Sequence, residues 1–299
     1  MSDPSSAHVT RPLNSGAAAL VVFLCLCWGF NQVSVKLAIH DIPPLMQGAT
    51  RSFAATLLVA GWCRLRGMPI FGRDGSLTAG IAAGILFGLE FVLIYKGLLY
   101  TTATRAVLFI YLAPFFVVLG TRIFLPADRF SSQQWLGLAL SFGGMMLAFG
   151  VPTPALDPRQ TLGDVMMVGA ALAWAATTLI IKASSLNRLA SEKVLLYQLA
   201  ISVPMFAMVA LIDGEHVAHM PSLLAIGALT YQTLTAMTFV IWFALIVRYS
   251  AARLSVFTFL APLFGVAAGH LVLNEPLTPA FALAVALVAG GIVLVNRPR

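Results

Sequence analysis

One long apolar stretch, residues 223–247, carries polar and aromatic side chains at helical spacing. They recur at steps of four, three and four, and two neighbours widen the same face: Tyr231, Thr235, Thr238 and Trp242, with Gln232 and Phe239. On a helix these steps place the side chains together. Rings, hydroxyls and amides on one face predict non-covalent binding, because rings can stack on a ligand while polar groups hold its head. Hydrogen bonding between helices is the alternative reason for such a stripe.

Three other apolar stretches carry comparable residues. Two of them each present a tryptophan, polar side chains and a lysine on one face: Trp28, Asn31, Gln32 and Lys36 in the first, and Trp174, Thr177, Thr178 and Lys182 in the second. The third carries Glu90 in its middle, where an ionisable group is a functional candidate. Glu90 could hold an ammonium group, carry a coupling proton or pair with Arg51. The whole set suits an amphipathic zwitterion such as an aromatic amino acid.

The composition determines which elements must position these residues. Of the 299 residues, 60% are hydrophobic and only 10% are charged, too few charges to cover a water-facing surface. A helix needs roughly 20 apolar residues to cross the hydrocarbon core. Ten runs approach this length, which predicts an all-α integral membrane protein with ten transmembrane helices: 16–39, 44–63, 77–99, 104–125, 131–151, 162–183, 193–213, 223–247, 251–273 and 279–296.

The basic residues predict the orientation of these spans. With the amino-terminal tail, residues 1–15, in the cytoplasm, 13 of the 18 Lys and Arg residues fall on the cytoplasmic side: Arg11, Arg64, Arg66, Arg73, Arg122, Arg129, Lys182, Arg188, Lys193, Arg248, Arg253, Arg297 and Arg299. The outer loops carry Asp157, Asp213, Glu215 and Glu275 instead. We therefore expect both termini in the cytoplasm. Attraction of these basic residues to the cytoplasmic leaflet of the membrane then explains the net charge of +7, and no nucleic acid partner is expected.

An octapeptide occurs twice. Residues 109–116 read FIYLAPFF and residues 257–264 read FTFLAPLF. With offsets of 146–148, Trp28 also matches Trp174, and Glu90 matches Thr238. Spans 1–5 are therefore predicted to repeat as spans 6–10, and because five is odd the copies lie in opposite senses. Inverted repeats are typical of secondary transporters, whose substrates bind near the midplane between the halves. Pro114 and Pro262 are then paired hinges or, alternatively, static kinks.

The sequence also resembles a known family. CWGFNQVSVK in span 1, LAWAATTLIIK in span 6 and LAPLFGVAAGHLVLNEPLT across spans 9 and 10 are similar to the EamA-type drug/metabolite transporter (DMT) superfamily, in particular to YddG-type aromatic amino acid exporters. The resemblance covers residues 16–296. It implies five-helix repeats at 16–151 and 162–296 and a central cavity, with spans 5 and 10 at the periphery. It also implies export of amino acids or similar metabolites from a bacterial inner membrane.

Other classes of function find less support. The motifs H-E-x-x-H, G-x-G-D and G-x-S-x-G do not occur, so an enzyme is not expected. Cys25 and Cys27 would point about 200° apart on a helix, so neither a metal site nor a cofactor is expected. A proton-coupled drug or metabolite exporter that uses Glu90 is the main alternative to a facilitative amino acid exporter. The partners expected are a small molecule and the lipid bilayer, with the monomer as the functional unit.

Two further expectations concern the span ends and spans 5 and 10. We expect four basic side chains to extend towards the membrane surface: Lys36, Lys96, Arg105 and Lys182. Small residues at helix-packing spacing in the two spans predict close backbone approach, which either seals these spans against the core or builds a dimer: Gly137 with Ser141, and Ala282 with Ala286 and Gly290.

Overall fold

The computed structural model describes residues 13–70, 72, 74–125, 130–151, 157–274 and 276–297. These residues form thirteen α-helices and their connecting loops: α1 (Ser15–Ala38), α2 (Pro44–Leu65), α3 (Leu77–Gly97), α4 (Ala103–Ile110), α5 (Ala113–Phe124), α6 (Ser132–Phe149), α7 (Pro158–Ala183), α8 (Ser191–Ile212), α9 (Leu223–Met237), α10 (Phe239–Arg248), α11 (Ala251–Phe257), α12 (Leu260–Leu273) and α13 (Ala280–Asn296). Most of the predicted tail lies outside the described residues, as do Arg73, Arg129, Glu275 and Arg299.

Seven helical segments of the described chain are long and apolar enough to cross a membrane, which makes the protein a multi-pass membrane protein. They are Ser15–Ala38, Leu77–Gly97, Ala103–Phe124, Pro158–Ala183, Ser191–Ile212, Leu223–Arg248 and Ala251–Leu273. Ala280–Asn296 is apolar but shorter. The predicted count of ten spans therefore stays a prediction.

Three of the predicted spans are interrupted. α4 ends and α5 begins around Tyr111, α9 gives way to α10 at Thr238, and α11 gives way to α12 around Thr258. Two of these breaks lie beside the prolines of the repeated octapeptide, since Pro114 and Pro262 stand in the first turns of α5 and α12. Proline carries no N–H and crowds the turn before it, which accounts for these two breaks. The break at Thr238 has no proline and was not predicted.

The terminal helices of the two halves, α6 and α13, pack mainly against each other. A Cβ placed on Gly137 would lie 2.7 Å from the Gly291 carbonyl oxygen, and one on Gly144 would lie 2.8 Å from that of Ala284. Gly137 therefore allows close approach, as predicted. On α13 the predicted trio does not pack closely against the rest of the described chain, and the dimer alternative stays a prediction. The face of α13 towards α6 is formed by other residues, whereas the predicted trio is exposed on the outer side: Ala282, Ala286 and Gly290.

Helices α3 and α8 come from opposite halves and lie in close contact along their length. Gly80, Gly84 and Gly88 form one stripe on α3, and a Cβ on each would fall within 2.6 Å of a side chain of α8. Such a stripe lets two helices approach closely and gain van der Waals contact.

Ion pairs hold α3 and α8 together at both ends. At one end Lys193 Nζ lies 2.6 Å from Asp74 Oδ2, and at the other Lys96 Nζ lies 2.7 Å from Asp213 Oδ1. The hydrogen bond from Lys193 holds the pKa of Asp74 well below its usual range. The two helices are therefore fixed relative to each other along their whole length.

We predict that Gly84→Ala destabilises the protein. The added methyl group would meet the Tyr197 backbone oxygen at 2.7 Å, and a backbone atom cannot move aside cheaply. Overpacking of this kind costs roughly 1–3 kcal/mol. The measurement is the melting temperature of the purified protein in detergent.

The matched control for this prediction is Gly61→Ala on α2, where nothing lies within 4 Å of the added atom. Because alanine favours a helix over glycine by up to about 1 kcal/mol, this variant should melt at the same or a higher temperature. Equal melting temperatures for the two variants would contradict the close packing of α3 on α8.

Candidate functional site

Trp28 on α1 is the centre of an aromatic cluster at the break between α9 and α10. Its ring stacks on Phe239 with centroids 5.1 Å apart and meets Trp242 edge-on at 5.4 Å. Its indole Nε1 donates to Thr238 Oγ1 at 3.1 Å. These three partners all belong to the stripe predicted from spacing, and they lie together because the helix turns at Thr238.

The remainder of that stripe runs back along α9 towards α1. The Tyr231 hydroxyl donates to the Cys27 carbonyl oxygen at 3.1 Å, and Thr238 donates to the Thr235 carbonyl oxygen at 2.6 Å. Part of the stripe therefore forms hydrogen bonds between or within helices, which was the alternative to ligand binding.

Glu90 on α3 is buried, and it follows Phe87, which contacts this cluster, by three residues. Phe87, one turn earlier, meets Phe239 edge-on at 5.8 Å and Phe91 at 5.1 Å. A continuous row of rings therefore runs from Trp28 on α1, through α10, to the immediate neighbour of Glu90.

Arg51 on α2 does not form the predicted ion pair with Glu90. Its guanidinium carbon lies 4.6 Å above the ring of Phe91, and the ion pairs among the described residues include neither Arg51 nor Glu90. Glu90 is nevertheless close enough to interact electrostatically with Arg51 and Tyr111.

The face predicted on α7 belongs to a second cluster. Trp174 meets Tyr111 edge-on at 5.8 Å, and Tyr111 meets Phe259 at 6.0 Å. Thr177 is buried and donates to the Ala173 carbonyl oxygen of its own helix, and Thr178 is also buried. This cluster lies at the two proline-associated breaks, since Tyr111 and Phe259 are the residues where α4 and α11 have just ended.

The two amides predicted on α1 have different environments. The side-chain oxygen of Asn31 is buried without a hydrogen bond in the described part of the chain, whereas Gln32 is exposed and lies near Gly265 of α12. Asn31 therefore remains a candidate for ligand binding, and Gln32 lies on the side of α1 that faces α12.

Two pockets that open to the surface lie on the same helices. One, of about 380 Å³, is lined by residues at the start of α8 and along α10, including Glu192, Val240 and Arg248. The other, of about 280 Å³, lies between α1, α9 and the end of α12. Tyr231 lines the second pocket, which connects the predicted stripe with the surface of the protein.

The expectation that basic side chains extend to the surface was wrong for two of the four. Arg105 is buried and pairs with Asp164, which also accepts from the Thr101 hydroxyl at 2.6 Å. Lys182 is buried and donates to the backbone carbonyl oxygens of Ile246 and Tyr249, so it caps the end of α10. A buried charge needs such partners because desolvation is otherwise too costly.

Sequence reasoning missed several rings of these clusters. Phe87 and Phe91 flank Glu90 at a spacing of four, which is itself a helical signal. Tyr111 and Phe259 occupy the same position, the third, in the two copies of the repeated octapeptide. Neither signal tells which partner a ring would meet, because that depends on the packing of the halves.

The fold and the composition of its helices define a helical membrane protein that spans the bilayer several times. The chain belongs to the EamA-like transporter family, whose model matches residues 15–150 and again residues 161–297.

Several relatives share nearly the whole chain at low identity. The "Uncharacterized transporter YoaV" of Bacillus subtilis is 24% identical over 92% of this chain and 94% of its own length. The "Probable amino-acid metabolite efflux pump" of Escherichia coli is 25% identical over 92% of this chain and 93% of its own. A protein known by crystal structure has the same fold, with a TM-score of 0.80 and 19% identity over 95% of this chain and 99% of that one.

Proposed function

We propose that the chain forms ten transmembrane helices, arranged as two inverted five-helix repeats around a central cavity. The first repeat comprises residues 16–151 and the second residues 162–296. The two matches to the family model support this arrangement. The contact between Tyr111 and Phe259 supports it too, because equivalent residues of two repeats meet where a two-fold axis passes between them.

The helix packing supports the same arrangement. α3 packs against α7 as α1 packs against α9, and α1 packs against α12 as α7 packs against α5. Two further contacts, α2 with α8 and α6 with α13, join equivalent helices of the two halves. Each of these contacts therefore has a counterpart, as a two-fold relation requires.

We propose that the protein exports small amphipathic metabolites, in particular aromatic and other neutral amino acids, by facilitative alternating access. The observation that carries this proposal is the row of rings from Trp28 to Phe91, which ends beside the buried charges of Glu90 and Arg51. Rings suit the apolar side chain of such a substrate and charges suit its head. The printed name of the Escherichia coli relative agrees with amino acid export.

The substrate-binding residues in this proposal are those that the sequence predicted, on α1, α3, α7, α9 and α10. They are Trp28, Asn31, Gln32, Glu90, Trp174, Thr177, Thr178, Tyr231, Thr235, Thr238, Phe239 and Trp242. Among them, Trp28 and its partners at the α9–α10 break form the closest group. We further propose a functional monomer in the bacterial inner membrane, with both termini in the cytoplasm.

A second candidate function, proton-coupled export of drugs or metabolites, is favoured by Glu90. This residue is buried in the middle of α3, and a carboxyl group in such a position can bind and release a coupling proton. The two candidates differ in what happens when the carboxyl group becomes an amide.

We predict that liposomes containing the purified protein release phenylalanine faster than protein-free liposomes. Trp28→Ala should weaken the binding of aromatic substrates by about 1–3 kcal/mol, because a stacking ring is lost. The binding of small aliphatic substrates should weaken less. Efflux with and without an imposed pH gradient is the measurement. Glu90→Gln should reduce efflux equally under both conditions if transport is facilitative, and should abolish only gradient-driven efflux if it is proton-coupled.

Trp62→Ala is the control for this experiment, because Trp62 is an exposed tryptophan on α2 that lies against Arg66. It should leave efflux unchanged. If wild-type liposomes release no amino acid, or if Trp28→Ala and Trp62→Ala behave alike, the proposed function or its site is wrong.

We predict the orientation from the distribution of basic residues. In a background without Cys25, Cys27 and Cys63, a cysteine at exposed position 157 should react with an impermeant thiol reagent added to intact cells. A cysteine at exposed position 188 should react only after the cells are permeabilised. The opposite labelling pattern would reverse the proposed topology.

We propose that Pro114 and Pro262 are hinges of the transport cycle. Pro114→Ala and Pro262→Ala restore an N–H that can bond to the carbonyl groups of Ile110 and Thr258, which favours a continuous helix. One such bond is worth roughly 1 kcal/mol, so efflux should slow about fivefold. Pro204 lies within α8, which is unbroken, so Pro204→Ala is the control and should not slow efflux. Unchanged rates in both hinge variants would make the prolines static kinks.

A further inference from the structure

Three helices carry buried polar groups that neighbouring contacts link, since Arg51 of α2 lies over Phe91 of α3 and Gln232 of α9 bonds to Gln47, one turn before Arg51. Arg51 on α2 is 6% exposed and Gln232 on α9 is 0% exposed. In the described part of the chain, Arg51 Nε and Gln232 Oε1 have no hydrogen-bond partner. Glu90 on α3 is 9% exposed and takes part in none of the ion pairs between described residues. A cationic donor, a neutral acceptor and a carboxyl group are therefore all present.

Hydrogen bonds on α2 fix the acceptor. Gln47, one turn before Arg51, accepts from Gln232 Nε2 at 2.8 Å and donates its own Nε2 to the Ile42 carbonyl oxygen at 2.8 Å. Because Gln232 uses its nitrogen in this way, its amide cannot turn over without losing a bond. Its oxygen therefore stays available as an acceptor.

The ring of Phe91 fixes the cation. The guanidinium carbon of Arg51 lies 4.6 Å from the centroid of that ring, a distance at which the cation is attracted to the ring face. Arg51 is close enough to Glu90 to interact electrostatically but forms no ion pair with it among the described residues. A buried guanidinium and a buried carboxyl group that are not paired with each other are costly, and a ligand carrying both charges would relieve that cost.

We propose that Arg51 and Glu90 together bind the head of a zwitterionic substrate. Arg51 binds the carboxylate, while Glu90 and the side-chain oxygen of Gln232 accept from the ammonium group. The side chain of the substrate lies towards Phe87 and Trp28. This inference rests on the proposed function. It adds Arg51 and Gln47 to the predicted binding residues and gives a role to Gln232, which the sequence placed on the stripe of α9.

The experiment compares three ligands that share a phenyl ring and differ in their charges. L-Phenylalanine carries both charges, phenethylamine only the ammonium group and 3-phenylpropionate only the carboxylate. Binding to the purified full-length protein is measured by calorimetry. Arg51→Gln should lower the affinity for L-phenylalanine and 3-phenylpropionate at least about tenfold, since a hydrogen bond to a charge is lost. The affinity for phenethylamine should not change. Glu90→Gln should lower the affinity for L-phenylalanine and phenethylamine and leave the affinity for 3-phenylpropionate unchanged.

The matched control is Arg66→Gln, because Arg66 also lies over a ring on α2, that of Trp62, but is exposed. It should leave the binding of all three ligands unchanged. Where Arg51→Gln does not fold, Arg51→Lys keeps the charge but loses the planar donor set. This variant should bind the two ligands that carry a carboxylate more weakly and bind phenethylamine as tightly as the wild-type protein does.

The outcomes separate the two proposals. If the wild-type protein binds none of the three ligands, the proposed function and this inference both fail. If it binds L-phenylalanine but the Arg51 variant weakens all three ligands equally, only the inference is overturned, and Arg51 has a structural role.

Discussion

In the hydrocarbon core of a membrane no water can satisfy backbone N–H and C=O groups, so each of them needs a partner within the protein. Unbroken helices meet this requirement by themselves, but three segments here are interrupted. At each break, bonds between residues three apart replace the helical ones, as in the donation from Ala261 to the Thr258 carbonyl oxygen at 2.9 Å. Threonine hydroxyls assist, since those of Thr238 and Thr258 each bond a carbonyl oxygen three residues earlier.

Helix α1 is attached to two of these breaks. The thiol of Cys25 donates to the Phe257 carbonyl oxygen at 3.3 Å, where α11 ends, and the indole of Trp28 donates to Thr238, where α9 ends. The breaks and the aromatic cluster are therefore parts of one arrangement. A change in the angle at Thr238 would move Phe239 and Trp242 relative to Trp28, which couples the shape of the site to the shape of the broken helix.

Helix α3 is held more firmly. Its glycine stripe lies against α8, its two ends are fixed by Asp74 and Lys96, and it carries Phe87, Glu90 and Phe91 towards the site. Binding groups are most precise on rigid elements. The site thus has one side on a fixed helix pair and the other on helices with breaks. Other buried charged residues, such as Arg105 with Asp164, form ion pairs within the protein. Arg51 and Glu90 form no ion pair among the described residues.

The sequence by itself determined the membrane character, the family and the faces that carry polar and aromatic residues. These follow from local facts: few charges, long apolar runs, a repeated octapeptide and helical spacing. It also located two of the helix breaks, because proline carries no N–H and crowds the turn before it, although Pro204 lies within the unbroken helix α8. Spacing alone places Trp28, Thr238, Phe239 and Trp242 on such faces.

The tertiary structure decided which faces meet. Arg51 lies on Phe91 and not on Glu90, Arg105 lies buried on Asp164, and α13 turns Ala284 towards α6 in place of Ala282. Spacing gives the direction of a side chain around its own helix axis, but the rotation of that helix against its neighbours depends on contacts between residues far apart in the chain. Such contacts, each worth little alone, select one rotation only when all of them are made together.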